Sequence, residues 1–290
     1  MTSTLQALTC SLAATVTLLA ASPAVAAPTP DDCKIGGFAI GCQAYTFNRF
    51  SVMEAIEKTA LTGSKVIEFY PGQKLSADQP NVKWDHKASD EVMAQVKAQL
   101  AKHGVRAVNY GVVGAEDAAE WRQIFAFAKK LGLYAVTTER VNQLDIIEHL
   151  VKEFDIRLAI HNHPRQANNP DYKVWDPAYV LSVVKDRDER IGACVDVGHW
   201  ATSGIVPLDG IKLLQGRIVS GHMKDRTAIG KSTEDVPFGS GISNFKGILD
   251  ELKRQGFAGN LSIEYETKWD NSVPDVAQCV GYFRGYGACQ

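Results

Sequence analysis

Four acidic or histidine side chains stand at similar places in four separate apolar stretches of the chain. They are Glu139 in "TTER" (137–140), Asp196 in "CVDVGHW" (194–200), His222 in "SGHMKD" (220–225) and Glu264 in "SIEYE" (262–266). Three carboxylates and one imidazole are mostly hard ligands, and carboxylates buried together repel one another without a cation. The pattern predicts one divalent metal ion, with Mn(II) favoured and Mg, Co or Zn as alternatives. The other interpretation is four unrelated polar strand ends that face solvent.

Eight short apolar runs must position these side chains. The runs cover 38–47, 65–71, 106–114, 134–139, 157–164, 191–200, 218–225 and 260–266. An amphipathic helical pattern follows each run, and strand starts roughly 25 to 40 residues apart suit parallel βαβ units. We therefore predict an α/β fold, a single-domain (β/α)8 TIM barrel, whose active site lies at the carboxyl ends of its strands. An open doubly wound sheet is the alternative, although the first strand lacks the glycine-rich loop typical of it.

Further polar and aromatic side chains lie near the same strand ends. They are Tyr45, Glu68, His161, His163, His199, Trp200 and Lys224. Alternate residues of a strand share a face, so His161 and His163 should point the same way. One of them could bind substrate or simply satisfy a neighbouring group. Trp200 could be a wall of the pocket or a stacking platform.

The order "TTE … DVGHW … SGHMKD … SIEYE" resembles the xylose isomerase-like TIM-barrel superfamily of sugar isomerases and epimerases. The resemblance covers nearly the whole chain after its first segment. It implies that Glu139, Asp196, His222 and Glu264 hold one metal ion and that His199, three residues after Asp196, contacts substrate. It also implies that Glu139 and Glu264 lie on opposite sides of the substrate and transfer protons.

The resemblance implies a metal-dependent sugar isomerase or epimerase that moves a proton α to the carbonyl of a keto-sugar through a stabilised enediolate. His199, Lys224 and a strand-5 histidine should line the sugar pocket, with Glu68 and Tyr45 across from them. Two alternatives stay open: elimination and hydration of 3-keto-glycosides at the same site, and a secreted sugar-binding barrel without catalysis. A homo-oligomer is compatible with either.

Nucleic acid is an unexpected partner for this chain. The formal net charge is −2, so there is no basic excess to neutralise a phosphate backbone. The endonuclease branch of the superfamily has extra histidine ligands on strands 2 and 3. Here those strands offer Glu68 and Tyr110 instead, which argues against a DNA-repair nuclease.

The first 26 residues carry no Lys, Arg, Asp or Glu and end in "AVA". This composition is typical of a secretory signal peptide, and the apolar run is short for a membrane span. We expect residues 1–26 to be removed, leaving a domain of residues 27–290 that starts at or near Ala27. The protein should be exported, periplasmic or secreted, and without a stable membrane anchor.

Two further expectations concern the cysteines and one glycine-rich loop. Cys33 precedes strand 1 and Cys289 ends the last helix, so both should lie at the lower rim of the barrel and form a disulfide. The stretch "VPFGSG" (236–241) should close over the site, with anion binding by its backbone amides as the alternative.

Overall fold

Eight parallel strands close into a barrel in the computed structural model, which describes residues 29–290. The strands are β1 (Ala39–Gln43), β2 (Val66–Phe69), β3 (Arg106–Tyr110), β4 (Ala135–Thr138), β5 (Arg157–Ile160), β6 (Ile191–Asp196), β7 (Ile218–Met223) and β8 (Asn260–Ile263). Neighbours in sequence are neighbours in the ring, and β1 pairs with both β2 and β8. The predicted TIM barrel is confirmed. The predicted signal segment and its cleavage point lie outside the described residues.

Helices surround the barrel and connect its strands. They are α1 (Val52–Leu61), α2 (Asp90–His103), α3 (Ala118–Leu131), α4 (Leu144–Phe154), α5 (Pro177–Val184), α6 (Val197–Thr202), α7 (Pro207–Leu213), α8 (Phe245–Arg254) and α9 (Val273–Ala288). Local chemistry sets their ends. Ser51 and Glu54 form a reciprocal capping box at the start of α1, and Gly104 and Gly132 end α2 and α3 with left-handed φ angles of 62° and 73°.

Two antiparallel pairs of two-residue strands form separate small sheets outside the barrel. One joins Gln73–Lys74 to Lys83–Trp84, and the other joins Asp225–Arg226 to Asp235–Val236. Within residues 29–290, no helix has both the length and the apolar character needed to cross a membrane.

The closed ring requires close approach of β1 to β2. At Gly41 an added Cβ would lie 1.8 Å from the carbonyl oxygen of Val66, so only glycine allows these strands to pair here. Side chains such as Ile67, Trp121 and Phe283 belong to the main apolar core. Their burial holds the helices to the barrel.

The interior of the barrel is polar and hydrogen-bonded. Ser262 donates to Glu68 Oε2 at 2.6 Å, and Thr137 donates to Asn109 Oδ1 at 3.1 Å. All four side chains are buried. Burying polar groups costs free energy unless they are hydrogen-bonded. This hydrogen-bonded network therefore forms a layer of satisfied side chains beneath the strand ends.

The predicted Cys33–Cys289 disulfide is wrong. Both cysteines are free thiols. Cys33 is buried against Val66 and Val108, whereas Cys289 follows α9 and is exposed. The Cys33 thiol therefore packs into the base of the barrel, and the rim position shared by the two residues does not bring their sulfurs together.

Candidate functional site: a buried histidine and carboxylate cluster at the barrel mouth

Four buried side chains converge at the carboxyl ends of strands β5 to β8. They are His161, Asp196, His222 and Glu264, and each offers a ligand atom within 4.8 Å of the others. We call this group the central cluster. Three of its members belong to the predicted ligand set. The fourth is His161, which the sequence suggested only as a substrate contact or a satisfied neighbour.

Two imidazole nitrogens in the central cluster face carboxylate oxygens. His161 Nε2 lies 3.7 Å from Asp196 Oδ2 and has no hydrogen-bond partner. His222 Nδ1 lies 3.1 Å from Glu264 Oε2 and 3.9 Å from Asp196 Oδ2, without the geometry of a hydrogen bond. Buried nitrogens are normally hydrogen-bonded. Two that are not, beside two carboxylates, form a donor set that fits a divalent cation.

Glu68 fixes the orientation of His222 from below. Its Oε1 lies 3.0 Å from His222 Nε2, and its Oε2 accepts from Ser262. Both Glu68 and His222 have no exposed surface. The contact occupies Nε2 and turns Nδ1 toward the central cluster, as carboxylate partners of metal-binding histidines do. Glu68 was predicted to face a substrate, but it lies beneath the site.

Lys224 places a buried ammonium among the carboxylates. Its Nζ lies 2.8 Å from Asp196 Oδ2, 2.5 Å from Glu264 Oε2 and 3.1 Å from Glu266 Oε2. Burial acts to lower the pKa of Lys224, but these carboxylates raise it well above the usual value. Gly198 makes room for the side chain, since an added Cβ would lie 2.4 Å from Lys224 Cβ. Lys224 therefore compensates the negative charge of these carboxylates, and its contact with the sugar pocket stays a prediction.

The run "CVDVGHW" ends as a helix start and not as an extended strand. Asp196 Oδ1 accepts the backbone N–H of His199 at 2.7 Å and caps α6, while Oδ2 remains for the central cluster. His199 Nε2 lies 3.3 Å from Lys224 Nζ, and its buried Nδ1 lacks a partner. Burial lowers the pKa of His199 well below its usual value; Asp196 opposes this and Lys224 adds to it. The imidazole is therefore neutral.

Glu139 lies outside the central cluster, which differs from the predicted ligand set. Its Oε1 lies 3.0 Å from His161 Nδ1 and 2.6 Å from His163 Nδ1, and it accepts from Tyr172 Oη at 2.9 Å. Burial acts to raise the pKa of Glu139, but the two histidines hold it below its ordinary value. His161 stands between Glu139 and Asp196 and links the Glu139 carboxylate to the central cluster.

The two aromatic residues predicted to contact substrate, Trp200 and Tyr45, lie in different surroundings. Trp200 is 1% exposed, and its ring packs where a side chain at Gly210 of α7 would clash. It is therefore part of the core, and its burial leaves almost no surface for the predicted substrate contact. Tyr45 is 40% exposed at the barrel mouth, in edge contact with Tyr70 and Trp269. Sequence reasoning did not find Trp269, although its place just after β8 was a usable signal.

A cleft of about 670 Å³ adjoins the central cluster. Its walls include His199, Arg226, Thr233, Glu266 and Trp269. Active sites of enzymes with small ligands are clefts of comparable size. His199 thus forms a boundary between the buried cluster and the space open to a ligand.

The glycine-rich segment 236–241 does not offer free amides. The carboxylate of Asp225 accepts the backbone N–H groups of Gly239, Gly241 and Ser243 at 3.0 to 3.1 Å. The Asp225 carboxylate therefore already occupies these backbone amides. The alternative prediction, in which the loop binds an external anion, would need the same N–H donors.

The chain matches a known protein family over most of its length. The family model described as "Xylose isomerase-like TIM barrel" matches residues 56–284. An uncharacterized protein of Methanocaldococcus jannaschii is 30% identical over 125 residues, which cover 42% of this chain and 41% of that relative. The matched region therefore spans about two fifths of the curated relative.

Several solved structures match most of the chain. An uncharacterized protein from Parabacteroides distasonis ATCC 8503 is 33% identical with a TM-score of 0.68, over 87% of this chain and 99% of its own. A D-allulose 3-epimerase from Methylomonas sp. is 14% identical with a TM-score of 0.65, over 85% and 97%. A xylose isomerase-like TIM barrel protein from Mycobacterium smegmatis in complex with magnesium is 15% identical with a TM-score of 0.62, over 82% and 88%.

Proposed function

Since the chain belongs to the xylose isomerase-like TIM-barrel family, we propose that it is a divalent-metal-dependent enzyme that isomerises or epimerises a keto-sugar by moving a proton next to the carbonyl. The observation that carries this proposal is the central cluster, in which two buried carboxylates and two imidazoles converge with unpartnered nitrogens. Epimerase activity and magnesium binding among the structural neighbours support the same assignment.

His161, Asp196, His222 and Glu264 would hold the ion. When bound, the ion supplies Lewis-acid polarisation of the substrate carbonyl. His199 lines the adjoining cleft and would offer a hydrogen-bonding group to a sugar hydroxyl there. Sugar epimerases among the structural neighbours support a small carbohydrate as the substrate.

Glu264 and Glu139 are the proposed proton-transfer groups. They follow β8 and β4, which lie four places apart in the ring of eight strands and so on opposite sides of the mouth. A sugar between them presents one face to each carboxylate. Glu264 removes the proton α to the carbonyl, and its return to the neighbouring carbon gives isomerisation. Return of a proton from the Glu139 side to the opposite face gives epimerisation.

The test is hydrogen exchange into free ketoses. Protein loaded with Mn(II), Mg(II) or Co(II) is incubated in D2O with D-fructose, D-tagatose or isomaltulose, and deuterium at the carbon next to the carbonyl is measured by NMR. We expect exchange that EDTA stops, that Glu264→Gln abolishes, and that the exposed control Glu91→Gln on α2 leaves unchanged. Exchange that survives Glu264→Gln would refute the assigned base. Binding without exchange would indicate a sugar-binding protein, and loss of a β substituent would indicate elimination.

A further inference from the structure

Three aromatic side chains cover one side of the barrel mouth, next to the proposed reaction site. We propose that Tyr45, Tyr70 and Trp269 form a second sugar-binding subsite, and that the substrate is an uncharged sugar of two rings whose keto ring lies at the central cluster. This inference rests on the proposed function for the location of the first ring.

The aromatic group is compact and accessible. Tyr45 lies between the other two, with ring centroids 5.3 Å from Tyr70 and 5.8 Å from Trp269, in edge-to-face geometry. Tyr45 is 40% exposed, and Tyr70 and Trp269 are half-buried. They follow β1, β2 and β8, which are adjacent in the ring, so they form one continuous patch. We call it the aromatic rim.

The aromatic rim continues into the cleft beside His199. Trp269 and His199 both line this cleft of about 670 Å³. Pockets of roughly 300 to 1,000 Å³ are typical for drug-sized ligands, which are larger than one sugar ring. The cleft therefore has room beyond a monosaccharide, and Trp269 of the aromatic rim is one of its walls. Rigid aromatic faces with polar edges bind the apolar face of a second ring at a low entropic cost.

The charges of the cleft favour a neutral extension over a phosphate. Arg226 Nε lies 3.0 Å from Asp235, and its Nη2 lies 3.3 Å from Glu266. Its Nη1 also donates to the carbonyl oxygen of Thr233. The other cation in the cleft lining, Lys268, pairs with Asp275 at 2.7 Å.

A phosphate in this cleft would have to break ion pairs that already exist. Glu234 and Glu266 also line the cleft, so its two cations and two carboxylates cancel among the described residues. Phosphate sites instead supply unpaired Arg or Lys groups or free backbone amides. The nearby amides of the 239–243 segment are held by Asp225. A glycosyl group meets none of these obstacles.

The test uses three ketoses that differ only at O6: D-fructose, isomaltulose, which carries a glucosyl group there, and fructose 6-phosphate. Affinities for the Mn(II)-loaded full chain are measured by titration calorimetry. We expect isomaltulose to bind about tenfold more tightly than D-fructose, the effect of one well-stacked aromatic anchor. Trp269→Ala should remove that preference, so that isomaltulose and D-fructose bind with similar affinity, and Trp269→Phe should retain most of it.

The matched control is Trp175→Ala. Trp175 is also half-buried, but it lines a separate cavity with Arg165 above its ring. This variant should keep the wild-type preference. Equal affinities for D-fructose and isomaltulose, or tightest binding of fructose 6-phosphate, would overturn the subsite. So would a preference that Trp269→Ala leaves intact.

Turnover is read separately by deuterium exchange with D-fructose and isomaltulose. Exchange with both at equal efficiency, without a binding preference, would leave the proposed function standing and remove the second subsite. A glucosyl preference in binding without any exchange would retain the subsite and remove the proposed reaction.

Discussion

Removal of the Lys224 ammonium should destabilise the metal-free protein strongly. Lys224→Met keeps the stem that packs against Gly198 and removes only the charge. The lost partners are Asp196 and Glu264, which are buried, and Glu266, which is partly exposed. At the 2.8 Å separation from Asp196 Oδ2, Coulomb's law with an effective dielectric constant of about 20 gives about 6 kcal/mol.

Relaxation and protonation of the carboxylates reduce that energy. Removing one partner of a buried charge pair lowers the free energy of unfolding by about 3 to 5 kcal/mol. In a chain of this size each kcal/mol lowers Tm by about 2 to 4 °C, so the metal-free variant should melt about 6 to 20 °C below the wild type. A divalent ion bound to the same carboxylates replaces the missing charge, and it no longer competes with an ammonium. Saturating Mn(II) should therefore narrow the Tm difference between Lys224→Met and the wild type.

The assay is thermal unfolding by circular dichroism at one scan rate, in EDTA and in excess Mn(II). The control is Lys246→Met, which breaks an ion pair with Asp250 that lies at the surface. Exposed pairs contribute little, so its Tm should match the wild type in both conditions. A metal-free Lys224→Met protein within about 2 °C of the wild type would show that the ammonium is not needed for charge balance. A gap unchanged by Mn(II) would show that the ion and the ammonium do not share these carboxylates.

Three further substitution experiments and one mass measurement test the remaining assignments. Glu68→Gln should lower Mn(II) affinity about 10- to 100-fold in calorimetry, because it loosens the orientation of His222; full affinity would refute that role. His161→Ala should weaken Mn(II) binding more than Glu139→Gln does, since only His161 belongs to the central cluster, and the reverse order would restore the predicted ligand set. His199→Ala should leave Mn(II) affinity unchanged and weaken ketose binding, a split that an equal loss of both would contradict. Mass spectrometry of exported protein should find a mature start at or near Ala27, and an intact first 26 residues on that protein would refute signal cleavage.

The architecture was predictable because its signals are local and repeated. Each strand is a short apolar run, each helix has its own period and caps, and the carboxyl ends of parallel strands must share one rim. That rule alone brings Asp196, His222 and Glu264 together. It specifies which rim a side chain occupies, but it does not specify rotamers or the reach of side chains across the mouth.

The wrong predictions concern residues whose positions depend on rotamers and on local backbone structure. The helix α6 begins at Val197, so successive residues there differ by about 100° in direction. His199 and Trp200 therefore cannot both face the cleft, and Trp200 turns toward α7. The apolar pattern also did not indicate the capping role of Asp196 or the burial of Cys33 against Val66 and Val108.

The position of His161 changes the chemistry expected of the ion. The predicted ligands carried three carboxylates and one imidazole, a formal charge of −3, whereas the central cluster has two of each and a charge of −2 with neutral histidines. Lys224 adds +1 in contact with both carboxylates. Mg²⁺ prefers a shell of oxygen ligands, and imidazole nitrogen suits Zn, Fe, Ni and Cu better. Two imidazoles and a competing ammonium therefore disfavour Mg²⁺ more than the predicted set would, and they favour ions that gain from nitrogen ligands. Glu139 lies outside this cluster, and its contacts with His161 Nδ1 and His163 Nδ1 orient both imidazoles on the side of the mouth opposite Glu264.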